Sequence, residues 1–219
     1  MENLNRYFDH TVLKPEATEA DVTKLCNEAK EFDFFAICVN SCYVPLAKKL
    51  LNGSAVQIAA VVGFPLGACC TESKVFETEW ACKEGAKEID MVVHVGALKE
   101  KRYDYVKEDI VAVVAAAKKY DAIVKVILET CLLSDEEIVK ACELSKEAKA
   151  AFVKTSTGFS KDGATEHHVS LMKKTVGDEL QVKASGGIRD LAKTLAMIKA
   201  GADRIGASAS VEIYKESLN

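Results

Sequence analysis

Proline is scarce in this chain, with 3 in 219 residues, tryptophan occurs once and histidine 4 times. With only 12 glycines as well, collagen-like and low-complexity classes are excluded, and a hydrophobic share of 49% excludes disorder. Long apolar runs are missing too. The longest, Ile58 to Cys70, is interrupted by Gly63, Pro65 and Gly67 and is too short for a bilayer span. No block of one charge stands out, because 29 Lys and Arg face 33 Asp and Glu for a net charge of −4, so neither nucleic acid nor a membrane surface is an expected partner. The residues from Met1 to Asp9 are polar, without the apolar core of a signal peptide. The eight cysteines, Cys26, Cys38, Cys42, Cys69, Cys70, Cys82, Cys131 and Cys142, contain no C-x-x-C pair. They read as reduced thiols of a cytoplasmic protein. His10, His94, His167 and His168 offer no H-E-x-x-H and no ligand-spaced pair with cysteine, so no metal is expected. Neither G-x-G-x-x-G after the first strand nor a P-loop motif is found, which removes the usual nucleotide-binding signatures.

What is present is repetition. Apolar runs at 35–39, 56–64, 88–95, 122–129, 151–156, 180–185 and 203–208 read as strands buried on both faces, and 7–13 supplies a short additional one at the N-terminal end. Between them lie charged, Ala-rich segments of helical period. Thr71 and Ser134 are expected as N-caps, Ser134 forming a capping box with Glu137. Gly85 and Gly201 suit left-handed C-caps before strands, whereas Lys149 occupies the corresponding place before 151–156 and demands another geometry or a strained one. Eight β/α units without a linker in a chain of 219 residues favour a single-domain (β/α)8 TIM barrel over an open doubly wound sheet.

In such a barrel the C-terminal ends of the strands converge on one mouth, and Asp9, Cys38, Asp90, Glu129, Lys154, Lys183 and Ser208 are expected there. Lys154, Lys183 and Lys125 each interrupt a strand that otherwise reads as buried, where an ammonium needs a partner or must lose its proton. Structural pairing with Asp90 or Glu129 is one reading. The other is chemical: two ammonium groups on neighbouring strands depress one another's pKa, and a neutral amine attacks carbonyl carbon. Asp90 is then either a proton shuttle or a counter-ion, and Cys38 either faces the pocket or is a small buried hydrophobe. The turns Ser185-Gly186-Gly187 and Gly206-Ala207-Ser208-Ala209 follow the last two strands, where barrel enzymes often hold phosphate with backbone N–H groups. His167 and His168 are placed on a solvated helix after Thr165, and Trp80 and the phenylalanines in the core.

The stretch FVKTSTGFS with DGAT, followed by VKASGGIR and RIGAS, resembles the deoxyribose-phosphate aldolase family. DHTVLKP at 9–15, ICVN at 37–40, VVGFPLGA at 61–68, EIDMVV at 88–93 and KVILET at 125–130 extend the likeness over the whole chain. The resemblance implies one aldolase domain over residues 1–219, free of cofactor and metal, that reversibly cleaves 2-deoxy-D-ribose 5-phosphate to acetaldehyde and D-glyceraldehyde 3-phosphate in deoxyribonucleotide catabolism. It implies Lys154 as the Schiff-base lysine, Lys183 as the lysine that perturbs it, and Asp90 as the proton relay. Asp9 and Cys38 are implied in the pocket, and Thr157, Gly158, Gly186, Gly187, Gly206 and Ser208 in contacts to substrate hydroxyl and phosphate. The partner implied is a phosphorylated sugar, with a homodimer or larger homo-oligomer left open. A related Schiff-base aldolase and a non-catalytic sugar-phosphate sensor are the rival readings. Two departures concern the phosphate: Phe159 stands where some members carry Lys, and Ala209 where some carry a second Ser. With Phe159 supplying no cation, the phosphate is expected to rest mainly on backbone dipoles.

Overall fold

Runs rich in Val, Ile and Ala pack well on a pleated surface, and runs apolar on both faces need cover on both sides. In the computed structural model, which describes residues 3–219, they form a closed barrel of eight parallel strands. Met1 and Glu2, the start of the polar N-terminal stretch, lie outside the described residues. The strands are β1 (Phe8–Val12), β2 (Ala36–Asn40), β3 (Gln57–Val62), β4 (Glu88–Val92), β5 (Ile123–Ile127), β6 (Phe152–Lys154), β7 (Gln181–Ser185) and β8 (Arg204–Ala207). Each pairs with its successor, and β8 closes on β1 through Phe8 opposite Ile205 and Asp9 opposite Gly206. This is the (β/α)8 barrel that the repeats predict.

The helices are α1 (Glu19–Glu31), α2 (Val44–Leu50), α3 (Thr71–Glu84), α4 (Val95–Lys99), α5 (Tyr103–Lys118), α6 (Asp135–Glu147), α7 (Glu166–Val176), α8 (Leu191–Lys199) and α9 (Ser210–Glu216). The main core is the shell between strands and helices, where Ile37, Ile89, Val126, Val153 and Val182 meet Val22, Ile110, Ile138 and Val169. Inside the barrel a small apolar cluster of Leu13, Cys38, Ala59 and Val61 is backed by Phe64, and Phe152 lies buried beside Lys125 and Arg204. Much of the remaining interior is taken by charged side chains. No helix among the described residues is long and apolar enough to cross a membrane.

Local signals mostly act as expected. Ser134 and Glu137 form the capping box of α6, and Thr165 caps α7, which carries His167 and His168. Gly85 and Gly201 take positive φ of 127° and 112°. Lys149 adopts the left-handed conformation at φ 61°, a strain of roughly 1 kcal/mol. Thr71 is not an N-cap: it is the first residue of α3, Cys70 precedes it without a side-chain cap, and its hydroxyl donates instead to Asp109 Oδ1 on α5 at 2.8 Å. An acceptor on a neighbouring helix outcompetes the local backbone there.

Candidate active site

Side chains alternate between the two faces of a strand, and the charged residues fall on the inner face. Asp9 lies on β1, Glu88 and Asp90 on β4, Lys125 on β5, Lys154 on β6, Lys183 on β7 and Arg204 on β8. Strand register sets Lys154 beside Lys183, Asp90 beside Lys125 and Lys183 beside Arg204. Asp90 is the hub. Its Oδ2 accepts from Lys154 Nζ and Lys183 Nζ, each at 2.8 Å, and its Oδ1 accepts from Lys125 Nζ at 2.8 Å. Asp9 accepts from Lys183 and, at 2.8 Å, from Arg204, whose guanidinium also lies 3.4 Å from Glu88. Lys125 completes the set with Glu88 Oε2 at 2.5 Å and Asp9 Oδ2 at 3.6 Å. Cys38 Sγ approaches Asp90 Oδ2 at 3.9 Å.

The expected convergence at the mouth is corrected in depth. Lys154 ends β6, with Glu129 and Ser208 just beyond β5 and β8. Asp9, Cys38, Asp90 and Lys183 instead lie within their strands, fully buried below the mouth. Periodicity reports which face a residue occupies; it carries no information on its height along the barrel axis. Nor does Glu129 pair with a lysine. Its carboxylate accepts from the Thr157 hydroxyl and, at 3.2 Å, from the Thr157 backbone N–H, fixing the loop after β6.

The charges are unequal in what holds them. Burial, then Lys183, push the Lys154 amine below the ordinary lysine range against the pull of Asp90. Burial acts the same way on Lys183, but Asp9 and Asp90 outweigh it and hold that ammonium above its ordinary value. Mutual depression of the two lysines therefore does not occur: only the lysine with the fewer carboxylates is lowered. Burial alone would raise Asp90, yet Lys125, Lys154 and Lys183 keep it well below the carboxylate range, so it is ionised at neutral pH. Burial, then Asp90, raise the Cys38 thiol, which is no nucleophile in this setting.

Above this network opens a cleft of about 440 Å³. Lys154 reaches it from below, and Thr157, Gly158, Gly186, Gly187, Gly206 and Ser208 line it. Asp9, Cys38, Asp90 and Lys183 lie behind Lys154 and are not part of its wall. The DGAT stretch supports the wall: Ala164 N–H donates to Gly186 O at 3.0 Å, and a Cβ on Gly163 would lie 2.1 Å from that oxygen, so only glycine fits. Phe159 brings no cation to this region, but Lys14 and Arg189 both line the cleft. Each sits in a stretch that carries the family likeness, DHTVLKP and VKASGGIR, but a cation beside a turn has no sequence signal of its own. Glu88 and Arg204 open their strands, where a charge in sequence is indistinguishable from a solvated end.

Away from the barrel axis, the fold brings Asp135 to His167 and His168, with potential ligand atoms within 4.8 Å of one another. His167 Nε2 and Asp135 Oδ2 are 2.7 Å apart and solvent-exposed. All three residues lie in the first turns of α6 and α7, where the positive helix ends oppose a cation.

Comparison with known proteins agrees with this geometry. The family model described as DeoC/LacD family aldolase matches residues 4–216. A deoxyribose-phosphate aldolase of Clostridium novyi (strain NT) is 61% identical over 213 residues, covering 97% of this chain and 96% of the relative. That of Clostridium tetani (strain Massachusetts / E88) is 59% identical over 214 residues, covering 98% and 99%. The deoxyribose phosphate aldolase of Aeropyrum pernix, whose structure is described as a unique tetramer, superposes with a TM-score of 0.93 at 33% identity, covering 98% of this chain and 91% of that one.

Proposed function

The chain belongs to the DeoC/LacD aldolase family, and on that footing we propose that residues 1–219 form one catalytic domain that reversibly cleaves 2-deoxy-D-ribose 5-phosphate to acetaldehyde and D-glyceraldehyde 3-phosphate through a Schiff base on Lys154. The observation that carries this reading is the shared oxygen: Asp90 Oδ2 stands 2.8 Å from both Lys154 Nζ and Lys183 Nζ, and only Lys154 reaches the cleft. An amine whose proton is loosened by burial, meeting bound substrate beside an ionised carboxylate, is the equipment imine chemistry requires.

Neutral Lys154 Nζ attacks the C1 aldehyde of the open-chain sugar, and the nitrogen of the adduct gives up a proton to the Asp90 carboxylate. Returned through water to the C1 oxygen, that proton completes the neutral carbinolamine, and a second proton, taken up from solvent through the same water, lets the C1 hydroxyl leave as water and the iminium form. Asp90, through water, then takes the C3 hydroxyl proton, and the C3–C2 bond breaks, its electron pair entering the iminium to give an enamine and glyceraldehyde 3-phosphate. The enamine takes a proton at C2, and water releases acetaldehyde and Lys154. Lys183 holds Asp90 in place and, after burial, adds the positive charge that lowers the Lys154 amine. Thr157, positioned by Glu129, offers its hydroxyl region to the sugar, while the Gly186-Gly187 and Gly206 to Ser208 turns with Lys14 and Arg189 receive the phosphate. Asp9 and Cys38 shape the interior. The free state of all eight cysteines supports a cytoplasmic setting, and the tetramer of the Aeropyrum pernix relative supports self-association here as well.

Borohydride reduction in the presence of acetaldehyde is expected to place an ethyl group on Lys154 and abolish cleavage of deoxyribose 5-phosphate. Peptide mass mapping reads the site. An adduct confined to Lys183 or Lys125 overturns the assignment.

A further inference from the structure

The charged groups inside the barrel form a closed set with a simple sum. Asp9, Glu88 and Asp90 contribute three negative charges, and Lys125, Lys183 and Arg204 three positive ones. All six are buried, Glu88 at 4% and Arg204 at 6% exposure being the most accessible. A net charge in such an interior is costly, so the cluster is satisfied when these six are ionised and everything else is neutral. Lys154 is the seventh group.

The contacts decide which base gives up its proton. Lys125 touches three carboxylates, Glu88, Asp90 and Asp9, and Lys183 touches Asp9 and Asp90. Arg204 touches Asp9 and Glu88, and a guanidinium does not deprotonate in proteins. Lys154 has Asp90 alone, already shared with two other cations. We infer that Glu88 and Arg204, at the opening residues of β4 and β8, are positioning residues for the reaction: they set the charge of the barrel interior so that it is balanced only while Lys154 is neutral. This deepens, and rests on, the assignment of Lys154 as the Schiff-base lysine.

Glu88 and Arg204 never reach the cleft; they act through Asp9 and Lys125 on Asp90 and so on Lys154. The Arg204 guanidinium is held in place by the Phe35 ring, 3.6 Å from its centroid, which closes the lower end of the network. Every titratable group around Lys154 belongs to the account. Within the barrel these are Asp9 on β1, Cys38 on β2, Glu88 and Asp90 on β4, Lys125 on β5, Lys183 on β7 and Arg204 on β8, while β3 carries none. At the mouth, Lys14 and Arg189 share the cleft and Glu129 is engaged by Thr157. Removal of one buried charge at the lower end leaves these groups in place and changes only the sum.

The test is the pH profile of Lys154 in Glu88→Gln, Arg204→Met and the double variant. Two readouts run in parallel: carbamoylation of Lys154 by cyanate, which reports the neutral amine whatever the enzyme does, and trapping with acetaldehyde and borohydride. Arg204→Met leaves the interior one charge negative, and the acid limb of both profiles is expected to move up by about one pH unit, a roughly tenfold loss at neutral pH recovered in alkali. Glu88→Gln is expected to move it down by a similar amount, and the double variant to return it close to the wild-type position. A structural role alone would lower reactivity at every pH without moving the limb. Unmoved limbs in the folded single variants, or a double variant no closer to wild type than Arg204→Met, overturn the inference. Should Arg204→Met fail to fold, the near-isosteric Glu88→Gln decides the matter by the presence or absence of its shift. Failure of the aldolase assignment looks different, as wild-type Lys154 would carbamoylate with its own pH profile yet form no acetaldehyde adduct.

Discussion

Three lysines of one type interrupt three neighbouring strands, and their fates differ by the number of carboxylates each can reach. Lys125 meets three, Lys183 two and Lys154 one. Sequence alone singled out all three, because an ammonium inside a run such as AIVKVILE or AFVKTS must be either paired or neutral; it could not count their partners, since Glu88 lies 37 residues from Lys125 and meets it only across the paired strands β4 and β5, and Asp9 lies 174 residues from Lys183 and meets it only through barrel closure. Glycine turns and motif likeness placed Thr157, Gly158, Gly186, Gly187, Gly206 and Ser208 at one cleft, whereas Lys14 and Arg189 escaped notice because a cation beside a turn resembles any solvated side chain. These two supply the prediction at this scale. Arg189→Ala or Lys14→Ala is expected to raise KM for deoxyribose 5-phosphate about two- to fivefold, the order of an exposed charged contact. Cleavage of unphosphorylated 2-deoxyribose should stay nearly unchanged, and steady-state kinetics on both sugars reads the difference. Equal losses on both sugars would remove these cations from phosphate binding.

Elements were legible where period and caps agreed, as in α6, and less so where a helix serves its neighbour. α3 and α5 are joined by a buried ion pair, Lys74 Nζ donating to Asp109 Oδ2 at 2.6 Å and to Val92 O at 3.0 Å, with the Thr71 hydroxyl on the other carboxylate oxygen. On a helical wheel Lys74 reads as one more surface charge of a mixed segment; only the packed neighbour reveals it as wholly buried. Asp109 belongs to the inner stripe of α5 with Val106, Ile110 and Val113, a spacing that turns its carboxylate inward. Asp109→Leu strands an ammonium and is expected to cost about 3 to 5 kcal/mol in urea unfolding, while Lys74→Met with Asp109→Leu together should recover most of it. A single variant costing under about 1 kcal/mol would show that water reaches the pair.

For the whole molecule, buried charge makes stability depend on acid. Burial would raise Asp9 and Asp90, but Lys183, Lys125 and the other cations around them hold both carboxyls below the ordinary range. In the unfolded chain these groups take up protons near pH 4, and in the folded one only at lower pH. Folding therefore gains from them above about pH 4, and the gain is lost as pH falls further, through their lowered values. Melting temperature should drop steeply below pH 4, and Asp9→Asn should show a lower plateau with a shallower fall; equal slopes would exclude Asp9 as a source. The same ring of charges has a consequence in time. Arg204 and Asp9 are 195 residues apart, and their contact closes the barrel between its last strand and its first. Helical turns form from neighbours within microseconds, but a contact of that span waits for the whole chain to be gathered. Refolding from urea should then regain helical dichroism well before Lys154 recovers its reactivity toward cyanate, since the surroundings that strip its proton are assembled last. A chain emerging during synthesis would thus carry an inert, protonated lysine until its final strand docks, and nucleophilic power would arrive together with closure of the ring.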